Sequence, residues 1–531
     1  MGFKLFTTFR DKKNTLVYST ITFALLFSFD CSGFSQKKGA IVCKIDIKKT
    51  YQTIENFGAS DCWTTQFIGK WPDAKRNAMA DWLFSQEMDS TGKPKGIGLS
   101  LWRFNIGGGS AEQGEASGIS TDWRRAECFQ NPDGSYNWNK QSGQQWFLTA
   151  ARQRGITQFL GFAITPPVHM TQNGLAFNKG RNETFNLQSD KYEDYADFLS
   201  QTILGIRKNT GITLNYLSPF NEPEWDWTGN SQEGTPALNS EIAKEVRLLD
   251  KKLTKYDLHT KIVVTESGQL DYLYKSKTNK PGRDNQITDF FDTSSPDYIG
   301  NLSHVPSFIA GHAYWTLNPL SNLIKKRKEL HNTLKDRDLN YWQTEVCLME
   351  ETPDVGNGHG RDLTMKTALF FARLIHEDLV VSNASAWHWW LGISYANYKD
   401  GLIYVFPNQD KSDGTFTDSK LLWSLGNFSR FVRPGSVRVD VSGDGCDNPN
   451  SLMVSAFLNT SDKKLIAVAI NYGNSETKMK LNVPGLCIQK AVPYLTSDRP
   501  GENLLPGSPL GKSLDTVVPS RSIVTYVCSY Q

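Results

Sequence analysis

The sequence predicts a (β/α)₈ barrel of the α/β class with a C-terminal antiparallel β-sandwich that also takes in an N-terminal strand. Three observations carry this expectation. Short apolar runs alternate with longer stretches of helical spacing through most of the chain. The alternation stops at Pro434, beyond which only short alternating segments divided by Gly, Asn, Pro and Ser remain. Finally, the strand-like segment Ala40–Lys48 precedes the first barrel strand and has no partner within the barrel pattern.

Residues 1–35 read as a secretory signal. Lys4, Arg10, Lys12 and Lys13 form a basic start, Leu16 to Phe29 an apolar-leaning run, and Gly33 and Ser35 the small residues before a cut at Gln36. The run is too short and too polar for a transmembrane anchor. Asp30 stands before Cys31 where a lipoprotein would carry a small residue, so lipid attachment is the less favoured route. Export to the periplasm, cell surface or medium is therefore expected.

Residues 36–54 hold the strand expected to cross into the sandwich, and residues 55–432 the barrel. Its eight strands are placed near Asn56–Ser60 and within Ile97–Ile106, Ile156–Ile164, Thr213–Phe220, Lys261–Thr265, Phe308–Tyr314, Asn340–Thr344 and Ser385–Leu391. Helical spacing lies between several of them, as in Lys191–Lys208, Asn239–Lys255 and Leu363–Glu377. A doubly wound nucleotide-binding sheet is disfavoured. Gly107-Gly108-Gly109 follows a strand but lacks both the lysine of a phosphate loop and the spacing of a dinucleotide fingerprint. These glycines are read as a tight turn at the barrel mouth. Residues 433–531 form the sandwich, with strands at Val437–Val441, Leu452–Leu458, Lys464–Tyr472, Thr477–Val483, Val492–Thr496 and Ser522–Cys528. A packed support is the favoured role there over a sugar-binding module.

Composition narrows the chemistry. Lys and Arg number 58 against 55 Asp and Glu, which leaves no basic field for nucleic acid. Beyond the signal-like segment the cysteines are Cys43, Cys62, Cys128, Cys347, Cys446, Cys487 and Cys528, with no CxxC spacing for a zinc or iron–sulfur centre. Disulfides are permitted outside the cytoplasm, and the odd count leaves at least one thiol free. The histidines are scattered without an HExxH motif, and no convincing GxSxG elbow occurs. No metal and no cofactor are expected.

In a barrel, chemistry gathers where the strands end. An apolar strand runs into Asn221-Glu222-Pro223, and the proline disfavours helical geometry at Glu222, placing it at a strand end. Tyr341-Trp342-Gln343-Thr344-Glu345 is a second strand ending in a carboxylate. On the fourth and seventh strands, Glu222 and Glu345 face one ligand across the mouth. Glycosidic cleavage needs such a pair, one carboxyl protonated to serve the leaving oxygen and the other to attack the anomeric carbon. Burial and the second charge raise the pKa of the acid.

Other strand ends fit around this pair. Arg103 is expected to hold the nucleophile ionised, Tyr314 to donate to it, and His312 to line a sugar subsite. Glu266 is a competing carboxylate, read as substrate-binding or structural. Asp61 and Trp63 are placed as floor and wall of the subsite nearest the cut. Asn221 binds hydroxyls, and Trp225, Trp389 and Trp390 offer faces on which sugar rings stack. A non-catalytic glycan-binding protein or an exported structural protein remains open on residues alone.

The ordered motifs resemble glycoside hydrolase family 30 over approximately residues 40–531. They are Asn56-Phe57-Gly58-Ala59-Ser60, Arg103-Phe104-Asn105-Ile106-Gly107-Gly108-Gly109, Phe162-Ala163-Ile164-Thr165-Pro166-Pro167, Asn221-Glu222-Pro223, His312-Ala313-Tyr314-Trp315, Thr344-Glu345, and the passage from Leu425 to Gly435. The resemblance implies retaining hydrolysis of β-linked glycosides, with Glu222 as acid/base and Glu345 as nucleophile, and no cofactor. The family's substrates include glucosylceramide, β-1,6-glucan, glucuronoxylan, β-fucosides, β-xylosides and β-1,6-galactan. Segments Asn56–Thr64 and Leu99–Gly114 look most like the endo-β-1,6-galactanase branch. An exo-acting enzyme, or one acting on another β-glycan, stays open, because the loops Ser110–Gly143 and Pro167–Asp190 either extend a groove or close a pocket. The expected partner is a β-linked polysaccharide or oligosaccharide; the sequence leaves the oligomeric state open, a monomer being plausible.

Overall fold

The computed structural model describes residues 39–531, apart from 182, 183, 278 and 512. The signal-like segment lies outside the described residues. Strand β1 (Ile41–Thr53) comes first, followed by the parallel strands β2 (Asn56–Ser60), β3 (Leu101–Ile106), β4 (Gln158–Ala163), β5 (Tyr216–Ser218), β6 (Lys261–Ile262), β7 (Thr265–Ser267), β8 (Phe308–His312), β9 (Asn340–Glu345) and β10 (Ala384–Ser394). Their order is β6-β5-β4-β3-β2-β10-β9-β8-β7. The two ends of this sheet, β6 and β7, are halves of one broken fifth strand. The Val263 amide donates to the Leu217 carbonyl (2.8 Å) on one side, and the Ala310 amide to the Val264 carbonyl (2.7 Å) on the other. The sheet thereby meets itself as the predicted eight-stranded barrel.

Period-two alternation decides what each strand presents. On β3, Trp102 turns outward and packs against Phe84 and Phe147 of the surrounding helices. Its neighbour Arg103 turns inward to Glu345. The helices bury one stripe each. In Asn239–Lys255, Ile242, Val246, Leu249 and Leu253 recur every three or four residues and are all buried. The Glu241 carboxylate accepts the otherwise orphaned Leu238 amide at 2.9 Å, which caps this helix. Helix Met365–Val380 differs, being buried nearly all round. It touches the barrel on one side and sandwich strands on the other, so no polar face is needed.

A hairpin of β11 (Gly401–Pro407) and β12 (Gly414–Asp418) extends the barrel sheet alongside β10. The sandwich then comprises β13 (Val437–Ser442), β14 (Leu452–Asn459), β15 (Lys464–Asn471), β16 (Thr477–Asn482), β17 (Ile488–Thr496), β18 (Leu505–Pro506), β19 (Asp515–Val518) and β20 (Ser522–Tyr530). The nine-stranded order is β18-β17-β20-β15-β14-β13-β1-β16-β19. The N-terminal strand β1 is therefore internal, antiparallel to β13 and parallel to β16. A Cys43–Cys446 disulfide spans 403 residues beside this pairing. Cys62, Cys128, Cys347, Cys487 and Cys528 are free thiols.

The Gly107-Gly108-Gly109 segment is needed for close approach as much as for a turn. A Cβ on Gly107 would stand 2.4 Å from the Glu127 carbonyl, and one on Gly108 2.4 Å from the Thr165 side chain. Gly109 alone of the three has a left-handed φ of 103°. The buried Glu233 fastens this segment by accepting from the Gly108 amide (3.0 Å) and the Ser110 hydroxyl (2.6 Å).

Candidate active site

Glu222 lies four residues beyond β5 and adopts a φ of 48°. This left-handed conformation departs from the extended one expected before proline. It is held from both sides. The Glu222 amide donates to the Glu266 carbonyl (2.8 Å), and Trp227 Nε1 donates to the Glu222 carbonyl (3.0 Å). Trp227, Glu266 and Trp315 are also left-handed, at 50°, 57° and 51°. Non-glycine residues rarely take such angles, and their gathering here marks a mouth whose backbone is fixed by its surroundings.

Glu345 ends β9, with one carboxylate oxygen bound by Arg103 Nη1 (3.0 Å) and the other by the Tyr314 hydroxyl (2.9 Å). His312 stands between the carboxylates, Nδ1 at 2.8 Å from Glu222 and Nε2 at 3.0 Å from Glu266. An oxygen from Glu222, a nitrogen from His312 and an oxygen from Glu345 all lie within 4.8 Å of one another.

Charges in this buried cluster are strongly coupled. Burial alone would lower the His312 pKa, but Glu345, Glu222 and Glu266 outweigh it and lift the ring to about 10. The ring is thus an imidazolium at neutral pH. Burial opposes ionisation of Glu266, yet Arg103 and His312 hold its carboxyl well below the usual range. At Glu345, burial and the adjacent Glu222 push the pKa up against the pull of His312 and Arg103. Three carboxyls thus face two cations, and Glu345 is the one whose ionisation this crowding opposes.

Among the described residues these three groups are the one cluster tight enough to hold a metal ion. A protonated His312 already bridging Glu222 and Glu266 suits a hydrogen-bonded network instead. Around the carboxyls opens a cleft of about 410 Å³, lined also by Asn221, Trp225, Trp227, Tyr314, Trp315 and Trp390.

Residues 40–404 match O-glycosyl hydrolase family 30, and residues 435–526 match the family 30 β-sandwich domain. The chain belongs to family 30. It is a glycoside hydrolase. Glucuronoxylanase XynC of Bacillus subtilis (strain 168) is 26% identical over 372 residues, covering 68% of this chain and 72% of its own. An endo-β-1,6-galactanase of Hypocrea rufa is 24% identical over 258 residues, covering 45% of this chain and 52% of its own. The solved structure of a conserved exported protein from Bacteroides fragilis superposes with a TM-score of 0.85 at 34% identity, over 92% of this chain and all of that one.

Within this family 30 fold, several residues expected to bind sugar are braces instead. His312 is fully buried and links carboxylates, so it lines no subsite. Arg103 is equally buried; it makes the contact to Glu345 expected of it and also meets Glu266, but faces no subsite. Glu266 accepts from Ser218 and Thr344 as well as His312, leaving no face for a ligand. Asp61 receives the Asn105 amide (2.9 Å) and Gln144 Nε2 (3.1 Å), and burial lifts its pKa to about 8. Trp389 is sealed in the core, donating to the Asp400 carbonyl (2.7 Å) and packing edge-on to Phe371. Asn221, Trp225, Tyr314 and Trp390 do line the cleft. Trp63 backs Trp390 edge-on at 5.4 Å and carries the Arg124 guanidinium 4.3 Å above its ring.

The sequence reading missed Arg124, Trp315, Cys347, Tyr398 and Asp400, all on the cleft wall. Cys347 had a signal, lying two residues beyond Glu345 and so on the same side by strand alternation. Arg124 ends a single 3₁₀ turn (Asp122–Arg124) and Asp400 sits in a turn, segments too short for periodicity to mark direction.

Proposed function

We propose that this family 30 enzyme is a retaining endo-β-1,6-galactanase that works outside the cytoplasm. The observation that carries the mechanism is the 4.8 Å limit on the Glu222–Glu345 approach. Retaining glycosidases hold their carboxyls about 5–5.5 Å apart, whereas inverting ones leave about 6.5–9.5 Å for a water between them. In the first step Glu345 attacks the anomeric carbon. The bond to the leaving oxygen breaks as Glu222 gives that oxygen its proton, leaving a glycosyl ester on Glu345. Glu222, now ionised, takes a proton from water, and the hydroxide adds to the same carbon and frees Glu345. Arg103 and Tyr314 receive the charge that returns to Glu345.

The cleft suits a neutral chain. Trp225 and Trp315 meet edge-on at 5.1 Å beside Glu222, forming a platform on the side from which the acid serves the leaving sugar. The Asn221 Oδ1 is buried without a partner, ready to accept a sugar hydroxyl. Arg124 is the one cation on the wall, and it is engaged with Trp63 and with Gln232 Oε1 (3.0 Å). A uronate would find a single guanidinium rather than a basic cluster on this wall, which favours galactan over glucuronoxylan. An endo-β-1,6-galactanase is among the relatives, but the Bacillus subtilis glucuronoxylanase matches over more of the chain, so the choice rests on the cleft. The basic-then-apolar start of the chain supports export.

Product analysis on β-1,6-galactan, debranched arabinogalactan, β-1,6-glucan and glucuronoxylan tests the proposal. Short β-1,6-galacto-oligosaccharides, formed with the β anomer first and absent with Glu222→Gln and Glu345→Gln, are expected. Cleavage confined to another glycan would overturn the substrate, monosaccharides as sole product the endo action, and an initial α anomer the retaining mechanism.

A further inference from the structure

Asp400 is a charged side chain that the hydrolytic mechanism above does not use. It lies between β10 and β11, closing the turn just before β11, and β10 lies next to β9, which carries Glu345. Its backbone is fixed, because Trp389 Nε1 donates to its carbonyl at 2.7 Å. The residue lines the same cleft as Glu345, Tyr314 and Trp390, yet it is only 2% exposed. Against its burial, Ser394, the residue's own backbone amide and the charges of Arg124 and Arg361 favour the ionised carboxyl. The Oδ1 atom is buried and has no hydrogen-bond donor. A buried carboxylate oxygen left without a donor costs free energy, and it is retained where a ligand supplies the missing hydrogen bond.

Protein donors do not fill this role: among the described residues nothing hydrogen-bonds Oδ1, and the guanidinium groups of Arg124 and Arg361 act on the carboxyl through their charge alone. Arg124, on the same wall, lies over Trp63 and donates to Gln232. The Tyr314 hydroxyl is committed to Glu345, and the Tyr404 hydroxyl donates to the Tyr398 carbonyl at 2.8 Å. Cys347, also on this wall, offers only a thiol, a weak donor. What remains is the solute in the cleft. A carboxylate accepts from hydroxyls and repels another carboxylate, so its chemistry selects among sugars.

We infer that Asp400 accepts a hydroxyl of the sugar bound on the nucleophile side of the cleft and selects neutral sugars over uronates there. The inference rests on the glycoside hydrolase reading of the cleft and deepens it, without depending on galactan being the neutral sugar. Burial raises the Asp400 pKa to about 6, so the carboxylate predominates at neutral pH and its acceptor strength weakens below that value.

The test compares parent, Asp400→Ala and Asp400→Asn proteins on matched oligosaccharides: β-1,6-galacto, β-1,6-gluco, β-1,4-xylo and glucuronoxylo. Asp400→Ala should lose about 10–100-fold in kcat/KM on whichever neutral oligosaccharide the parent cleaves best, a loss corresponding to one hydrogen bond to a charged group. Asp400→Asn, which keeps an acceptor but no charge, should recover part of that loss. Both variants should narrow the gap between neutral and glucuronoxylo substrates. Thermal midpoints close to the parent's would exclude a folding defect. Should Asp400→Ala fail to fold, Asp400→Asn and a monodeoxy series on the parent's best substrate carry the test. One deoxy position should cost the parent its rate and leave the Asp400→Asn protein less affected.

Equal losses on every substrate, or none, would overturn the inference. So would a parent that prefers the glucuronoxylo substrate. A parent that prefers β-1,6-gluco or β-1,4-xylo chains, with the Asp400 losses intact, would displace galactan and leave Asp400 in its role.

Discussion

At the scale of single residues, the site depends on how the two glutamates divide their surroundings. Glu345 receives a guanidinium and a phenol, while Glu222 receives an imidazolium. With Glu345 as the proposed nucleophile, removing the phenol should weaken it as a leaving group more than it weakens substrate binding. Tyr314→Phe is therefore expected to lower kcat about 10–100-fold with KM little changed, the cost of one hydrogen bond to a charged group. Steady-state kinetics on an activated aryl glycoside checks this, and a rise in KM alone would contradict it. Glu222→Gln should cost about 10²–10⁴-fold on substrates with poor leaving groups and much less on activated ones. Both glutamates were legible as candidates in the sequence, because Glu345 ends an apolar strand and Glu222 follows one and precedes proline. Asp61, Glu266 and Trp389 carry the same strand-end signal but turn out to be braces. Strand position says which layer a side chain occupies, whereas the Asn105 amide, Ser218 hydroxyl and Asp400 carbonyl that engage them come from distant segments.

Elements show a different boundary between what patterning reveals and what it hides. All eight barrel strands lie where apolar runs predict them, since a parallel strand buried on both faces leaves a run of that kind. The fifth was expected as one strand but is split into β6 and β7, a break that Lys261–Ser267 does not advertise by any glycine or proline. The β11–β12 hairpin went unread because Gly401–Pro407 follows the eighth strand, where a completed barrel needs nothing further. The short strands β18 and β19 pair with their neighbours at few positions and leave little periodicity to find. For β1, the disulfide to Cys446 closes a loop of 403 residues in the unfolded chain. Cys446→Ser should reduce stability by about 2–4 kcal/mol. The shift in denaturant midpoint measures this, and an unchanged midpoint would show that β-pairing alone secures the strand.

For the whole molecule, buried acids set the response to pH. Burial lifts Asp61 and Glu224 to about 8 and Glu233 to about 7. Each lies above its unfolded value, so the native state holds more protons than the unfolded chain between about pH 4 and pH 8. Stability must then fall as pH rises through that window. His312, lifted to about 10, acts in the same direction: its contribution is complete below about pH 6.5 and is lost as pH rises through 10. Glu266, held low, contributes above about pH 4.5 and loses that contribution only in acid. The melting temperature should therefore decline by several degrees from about pH 5 to about pH 9 in a calorimetric series. A rise over that interval would mean that the buried carboxyls ionise with partners still in place.

The internal position of β1 also has a consequence for how the molecule is made. A ribosome delivers β1 first and β13 only after the entire barrel, with Cys43 and Cys446 separated by 403 residues. The sandwich sheet cannot close around its own middle strand until the far end of the chain has arrived, so its completion is a late, long-range event. Cutting the polypeptide at the visible change of pattern near Pro434 would give a barrel trailing an unpaired strand and a sandwich with a gap between β13 and β16. The two ends of the chain are one folding unit, and the enzyme is finished only when they meet.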